Sequence, residues 1–240
     1  MRTSPSYQFD SSLKKYIANT FYRFELLVYN LYAEKVFVPS LNMTKYIPTI
    51  NRKKFKELNP GAVLKINQTR QPGDTLELFY VGGTAGFYNI NLLIDVIGKC
   101  FQEQIRLTIC TRESDARSLH QEFPTFPVNV SVVSFSGEKL NELYENADCA
   151  CLYVEPTEYR MFAVPIKLFE YVANGKPVIA SAGTWAGEFV AKHSVGWKVE
   201  YSDKALKTFL EQLLEDKASI PSYAEAIKRK SPDVFLERTM

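Results

Sequence analysis

From Leu76 onward the chain alternates between two hydrophobic periods. Apolar runs of strand length give way to segments of helical spacing: Leu76–Val81 then Ile90–Phe101, Ile105–Cys110 then Ser114–Phe123, Val128–Phe135 then Glu138–Ala147. The series continues with Cys149–Val154 then Val164–Ala173, Pro177–Ala182 then Trp185–His193, and Trp197–Tyr201 then Ala205–Leu214. Six such units require strands joined by helical crossovers, which is a parallel sheet with helices on both faces. Runs such as Cys149-Ala-Cys-Leu-Tyr-Val154 are apolar throughout, as a strand covered on both sides must be. The expected fold is α/β, a Rossmann-like, doubly wound, parallel six-stranded sheet, preceded by an amphipathic helix. In such sheets ligands bind beyond the carboxyl ends of the strands, which directs attention to the loops after Val81, Cys110, Phe135 and Val154.

The remaining segments are of a different kind. From Leu13 the positions Tyr16, Ile17, Phe21, Phe24, Leu27, Val28, Leu31 and Tyr32 recur at spacings of three and four, an amphipathic helix. Its apolar stripe is expected to be exposed and to await a neighbouring domain or a second copy. Lys35-Val-Phe-Val-Pro-Ser40 reads as a short strand, and the polar, basic stretch through Thr75 reads as a linker. The expected organisation is residues 1–35 as a helix from or against an acceptor-side domain, 36–75 as strand and linker, 76–218 as the binding domain, and 219–240 as a helical tail.

Composition narrows the function classes. The 240 residues are 46% hydrophobic and 23% charged, a globular balance. No apolar run approaches the ~20 residues of a membrane span. The start, MRTSPSYQFDSSLKKY, lacks the apolar centre of a signal peptide, so a cytoplasmic protein is expected. Cys100, Cys110, Cys149 and Cys151 form no disulfide framework, and neither His120 nor His193 has metal-ligand spacing beside them. Residues 1–70 carry 12 Lys/Arg against 4 Asp/Glu, whereas residues 71–240 carry 17 against 23. The basic leading third calls for an anionic partner. No recognised nucleic-acid motif accompanies it, so an anionic membrane surface is retained and nucleic acid is not. A nucleophilic hydrolase is disfavoured, since there is no Gly-x-Ser-x-Gly elbow and neither histidine has a triad context.

Two segments carry chemistry. Tyr80-Val-Gly-Gly-Thr-Ala-Gly86 ends the first strand of the repeating series, and Gly82 and Gly83 allow backbone amides to approach a phosphate; a plain tight turn is the alternative. Val164-Pro-Ile-Lys-Leu-Phe-Glu-Tyr-Val-Ala-Asn-Gly175 places Pro165 in the first turn of a helix and Gly175 at its end. Lys167 and Glu170 then share one face near the positive end of the helix dipole. An i, i+3 ion pair is the plain reading. In the ligand crevice the same carboxylate could accept two hydrogen bonds from a ribose diol, and the ammonium could meet a diphosphate.

At these residues a family resemblance enters. Pro165-Ile-Lys-Leu-Phe-Glu-Tyr-Val-Ala-Asn-Gly-Lys-Pro-Val-Ile-Ala-Ser181 resembles the donor-site signature of group 1 (family 4) retaining glycosyltransferases of the GT-B fold. Val133-Ser-Phe-Ser-Gly137, Leu143-Tyr-Glu-Asn-Ala-Asp148, the strand ending in Val154-Glu-Pro156 and Val195-Gly-Trp197 follow the family's order, and Lys35–Ser40 resembles the strand closing its amino-terminal domain. The resemblance implies a transferase moving a sugar from a UDP- or GDP-sugar to a glycan or lipid-linked acceptor. It implies retention of configuration without cofactor or metal, in surface polysaccharide or lipopolysaccharide assembly. It places Glu170 on the ribose and Lys167 with the helix start at Pro165 on the diphosphate. Gly82 and Gly83 fall against phosphate or sugar, and Phe135, Ser136 and Gly137 beside the nucleobase; the catalytic residue stays unassigned. Three departures stand out. Phe162 occupies the position of the family's other glutamate, with Glu155 or Glu158 as candidate substitutes. The basic pair after the glycine turn is missing, with Arg160 and Lys167 nearest to restore the charge. Only the donor-binding half of the two-domain fold is complete by resemblance, so a split-enzyme subunit or a non-catalytic binding protein is the alternative, requiring an acceptor-domain partner or self-association through residues 13–32.

Overall fold

The computed structural model describes residues 12–47, 49–65, 70–84 and 88–236. The chain divides into two compact units, residues 1–60 with 162–164, and residues 61–161 with 165–240.

In the first unit, helix α1 (Ser12–Tyr32) is followed by two short strands, β1 (Val36–Val38) and β2 (Phe55–Glu57), which pair in parallel with Val36 opposite Phe55. Two 3-10 turns, Leu41–Tyr46 and Arg52–Lys54, lie between them. Leu26, Val38, Ile47, Ile50 and Phe55 form a small core, so the expected linker is folded as far as Glu57. The sequence reading missed this because the buried residues are isolated among Lys and Asn and show no period. The structure divides the chain at Pro60 and Gly61, not at 35 and 75. Helix α1 turns Tyr22 and Leu26 towards this core. Its more apolar face points outward: Leu13, Tyr16, Phe21, Phe24 and Leu31 are 63–72% exposed.

The second unit holds the repeating series. Its strands are β3 (Leu76–Val81), β4 (Ile105–Cys110), β5 (Val130–Val133), β6 (Cys149–Leu152), β7 (Val178–Ser181) and β8 (Gly196–Val199). Its helices are α2 (Asn91–Cys100), α3 (Glu113–Glu122), α4 (Glu138–Asn146), α5 (Ile166–Ala173), α6 (Trp185–His193), α7 (Asp203–Glu215) and α8 (Ser219–Leu236). The six strands form one all-parallel sheet in the order β5-β4-β3-β6-β7-β8. Right-handed crossovers put α2 and α3 on one face and α5 and α6 on the other. Leu93, Ile94, Ile97, Leu206, Leu210 and Leu213 belong to one buried cluster that joins α2 to α7 over the first of these faces.

The chain starts in the middle of this sheet, runs out through β4 and β5, then returns to β6 and runs out the other way. The order therefore reverses between β3 and β6, where the crevice of such sheets opens. Consistent with an opening, β3 and β6 pair only at Leu78–Cys149 and Phe79–Ala150, while β3 stays paired with β4 to its last residue.

Boundaries differ from the sequence reading where side chains intervene. Strand β5 begins at Val130, since the buried Asn129 amide donates to the carbonyls of Ile97, Phe101 and Ile105 and leaves Val128 in solvent. Strand β8 ends at Val199, where the Tyr153 hydroxyl donates to Glu200 O (2.6 Å) and accepts from Ser202 N. Among the described residues no helix is long and apolar enough to cross a membrane.

Candidate functional site

Helix α5 is built to present two charges from a buried support. Pro165 is the N-cap, with extended φ and ψ, so the helix begins at Ile166 rather than Val164. Leu168, Phe169, Tyr171 and Val172 are buried, which leaves Lys167 and Glu170 on the opposite side. The helix ends in a Schellman arrangement: Gly175 takes φ +70°, its N–H donates to Val172 O, and Lys176 N–H donates to Tyr171 O. That left-handed position is why glycine stands there.

Lys167 Nζ lies 2.6 Å from Glu170 Oε2, and the Tyr144 hydroxyl donates to the same oxygen at 3.0 Å. The two charged side chains are 35% and 31% exposed, so they are neither lost to bulk solvent nor walled off. An ion pair this accessible contributes only about 0.2–1 kcal/mol to stability. Stability is a weak reason to keep it.

The glycine turn follows β3 at the same end of the sheet. Gly82 N–H donates to Cys110 O, and the Tyr80 hydroxyl donates to Gly83 O at 2.5 Å. A Cβ on Gly82 would stand 3.1 Å from that hydroxyl. The turn is also tied to α5, since the buried Tyr171 hydroxyl accepts from Val81 N–H at 2.8 Å. Arg160, 7% exposed on a 3-10 turn, lays its guanidinium over the Tyr88 ring at 4.5 Å. A Cβ on Gly83 would stand 3.5 Å from the same Tyr88 ring, so the guanidinium stacks on a ring that borders the glycine turn. The structure thus brings Arg160 to the glycine turn and Lys167 to Glu170. Gly86 and Phe87 lie outside the described residues.

The Phe135–Gly137 turn sits beyond β5, two strands away from β3. Phe135 is 40% exposed with Lys139 Nζ 5.4 Å from its ring centroid, Ser136 is exposed, and Gly137 takes φ +60° at the start of α4. Nothing lies within 4 Å of where a Gly137 Cβ would be, so backbone conformation rather than space selects glycine. The turn is joined to Glu170 through α4, which carries Tyr144.

Other candidates behave differently. Phe162 is buried and packs on the Tyr46 ring at 4.4 Å, a packing role within the first unit. Glu155 and Glu158 are exposed on the loop after β6. Cys149 and Cys151 are fully buried, and burial drives the Cys151 thiol up to about 12, so they serve as core. His193 ends α6 with its ring on Phe189 at 4.3 Å. A cavity of about 680 Å³ is lined by residues including Lys65, Arg70, Tyr144, Glu145, Asn174 and Lys176. Its cations already have partners: Lys65 on Asn141 Oδ1, Arg70 on Asp148, and Lys176 on two carbonyls.

The residues that sequence reasoning missed are Tyr144, Tyr171 and Tyr80. Tyr144 lies inside a quoted motif, but nothing in its spacing says that its hydroxyl reaches a helix 26 residues further on.

Comparison with known proteins fits this geometry. The family model described as glycosyl transferases group 1 matches residues 75–216. Among solved structures, Anabaena HepE in complex with UDP and glucose is 17% identical with a TM-score of 0.70, over 98% of this chain and 66% of that one. Sucrose-phosphate synthase from Thermosynechococcus elongatus is 18% identical with a TM-score of 0.69, over 96% and 61%. WaaG, a glycosyltransferase involved in lipopolysaccharide biosynthesis, is 17% identical with a TM-score of 0.64, over 82% and 58%. At such identities the likeness is one of fold, and the chain spans 58–66% of these neighbours' lengths. No curated protein matches in sequence. With the family model covering more than half of its residues and a parallel sheet of order β5-β4-β3-β6-β7-β8 beneath them, the chain belongs to the group 1 glycosyltransferases and carries a Rossmann-like half of the GT-B fold.

Proposed function

We propose that the crevice between the carboxyl ends of β3 and β6 binds a nucleoside diphosphate sugar, UDP- or GDP-linked, as the donor for glycosyl transfer. Glu170 accepts hydrogen bonds from the ribose diol. Lys167, Arg160 and the free amides after Pro165 meet the diphosphate, with the Gly82–Gly83 turn against phosphate or sugar. Phe135, Ser136 and Gly137 border the base. The observation that carries this reading is the Lys167–Glu170 pair, half-exposed on the first turns of a helix that opens at the topological switch point. HepE, a fold neighbour, has been captured with UDP and with UDP-glucose.

In the transfer, the bond between the anomeric carbon and the diphosphate oxygen breaks while an oxygen of a glycan or lipid-linked acceptor bonds to that carbon. The nucleoside diphosphate leaves with the bonding electron pair, and the proton of the acceptor hydroxyl passes to the departing phosphate oxygen. Two cationic side chains and a helix N-terminus aimed at the leaving group stabilise that charge as it develops, a role that elsewhere falls to a metal ion. The reading includes retention at the anomeric carbon and a place in surface polysaccharide assembly. Enclosing both reactants needs an acceptor-side surface opposite the crevice.

Calorimetric titration with UDP and with GDP tests the donor site. Wild type is expected to bind one of them, and saturation at a hundred times Kd raises stability by about 2.7 kcal/mol. Glu170→Ala is expected to weaken binding at least tenfold. Equal affinity in the two proteins would falsify the ribose assignment.

A further inference from the structure

Resting on that donor reading, we infer that Tyr144 is a positioning residue: it holds Glu170 by one carboxylate oxygen so that the other meets the ribose, which makes the site selective for ribonucleotides over 2′-deoxyribonucleotides.

Both side-chain contacts to the Glu170 carboxylate fall on Oε2, from Lys167 Nζ at 2.6 Å and from the Tyr144 hydroxyl at 3.0 Å. They differ in permanence. Lys167 is a long side chain, 35% exposed, whose charge a diphosphate at the start of α5 would compete for. Tyr144 is 3% exposed and cannot follow. Its ring stands edge-on to Phe79 at 5.1 Å and 6.0 Å from Tyr171, so two neighbouring aromatic rings fix its direction. Burial and the adjacent carboxylate both raise its pKa, which keeps the phenol a donor across the neutral range.

When a donor arrives and Lys167 turns to phosphate, the Tyr144 hydrogen bond therefore remains on Oε2. The carboxylate stays oriented, with Oε1 presented to the diol. A group held in place before binding loses less entropy on binding, so the hydroxyl contributes to affinity without touching the ligand. A fixed carboxylate also penalises a nucleotide that lacks one hydroxyl, because Oε1 then loses one of its two hydrogen bonds and cannot turn to another partner. Tyr171, next in sequence, pins the end of β3, so one aromatic cluster sets both the carboxylate and the glycine turn.

The test compares UDP with 2′-deoxy-UDP, and GDP with 2′-deoxy-GDP, by calorimetry on wild type, Tyr144→Phe, Glu170→Ala, the double variant and Lys167→Ala. Tyr144→Phe keeps the ring and is expected to weaken the ribonucleotide about tenfold while weakening its deoxy analogue less, so the ratio between them narrows. Adding Tyr144→Phe to Glu170→Ala is expected to change nothing further. Lys167→Ala should lower affinity for both nucleotides and leave their ratio intact. Wild-type affinity in Tyr144→Phe overturns the proposal, as does an equal loss for ribo and deoxy ligands, which would mark the ring as packing alone. If Glu170→Ala weakens binding and Tyr144→Phe does not, only the positioning role falls. If Glu170→Ala binds as wild type, the donor reading falls with it.

Discussion

Replacing Tyr171 by phenylalanine removes a single oxygen, and the sheet topology says what that should cost. Past Phe79 and Ala150, β3 and β6 no longer pair. The N–H of Val81 on that side has lost its ladder partner, and the Tyr171 hydroxyl takes the place at 2.8 Å. Tyr171 is fully buried and Val81 is 7% exposed, so water has little access to the vacated donor. Deleting the acceptor leaves a buried N–H unsatisfied, a loss of about 1–3 kcal/mol rather than the smaller net worth of an ordinary hydrogen bond. For a unit of this size each kcal/mol lowers the melting temperature by roughly 2–4 °C, so Tyr171→Phe should melt about 2–12 °C below wild type. Both tryptophans, Trp185 and Trp197, lie in the sheet-bearing unit, so their fluorescence during urea unfolding follows this unit. The expected result is a lower midpoint with an unchanged slope, since the surface exposed on unfolding is the same. A loss below about 0.5 kcal/mol would show that Val81 does not depend on the hydroxyl, and a changed slope would show that the variant alters the unfolded or native ensemble instead.

Two other outcomes follow from parts of the molecule outside the crevice. The outward stripe of α1 lies in a unit whose exposed cations include Lys14, Arg23, Arg52 and Lys53, so the chain should sediment with vesicles containing anionic lipid and release at high salt. Indifference to lipid charge, or undiminished binding by a Phe21→Ser, Phe24→Ser variant, rejects this. Lys176 Nζ donates to Ala147 O and Glu145 O at the end of α4, and burial lowers its pKa from 10.5 to about 8, against the pull of Asp148. Below pH 8 both folded and unfolded chains hold the proton; between 8 and 10.5 the unfolded chain holds it while the folded one releases it. Stability from this group therefore rises with pH, and the gap between wild type and Lys176→Met should shift in favour of wild type by roughly 1–2 kcal/mol from pH 7.5 to 9.5. A gap that stays constant over that range contradicts the shifted titration.

The alternation of period two and period 3.6 along residues 76–214 was enough to specify a parallel α/β sheet, because each strand must be apolar on both faces and each crossover helix on one. The same local logic fixed α5, from Pro165 to the left-handed Gly175, and with it the adjacency of Lys167 and Glu170, which depends only on a helical turn of three residues. Strand order, by contrast, is a property of pairing between segments distant in sequence. Only the tertiary structure put β3 beside β6 and folded Ile47, Ile50 and Phe55 into a core that the sequence reads as linker. It also decided what holds the charged pair. Tyr144 and Tyr171 reach their partners across 26 and 90 residues, and a phenol's hydrogen bond leaves no period in a sequence, because its partner is chosen by packing.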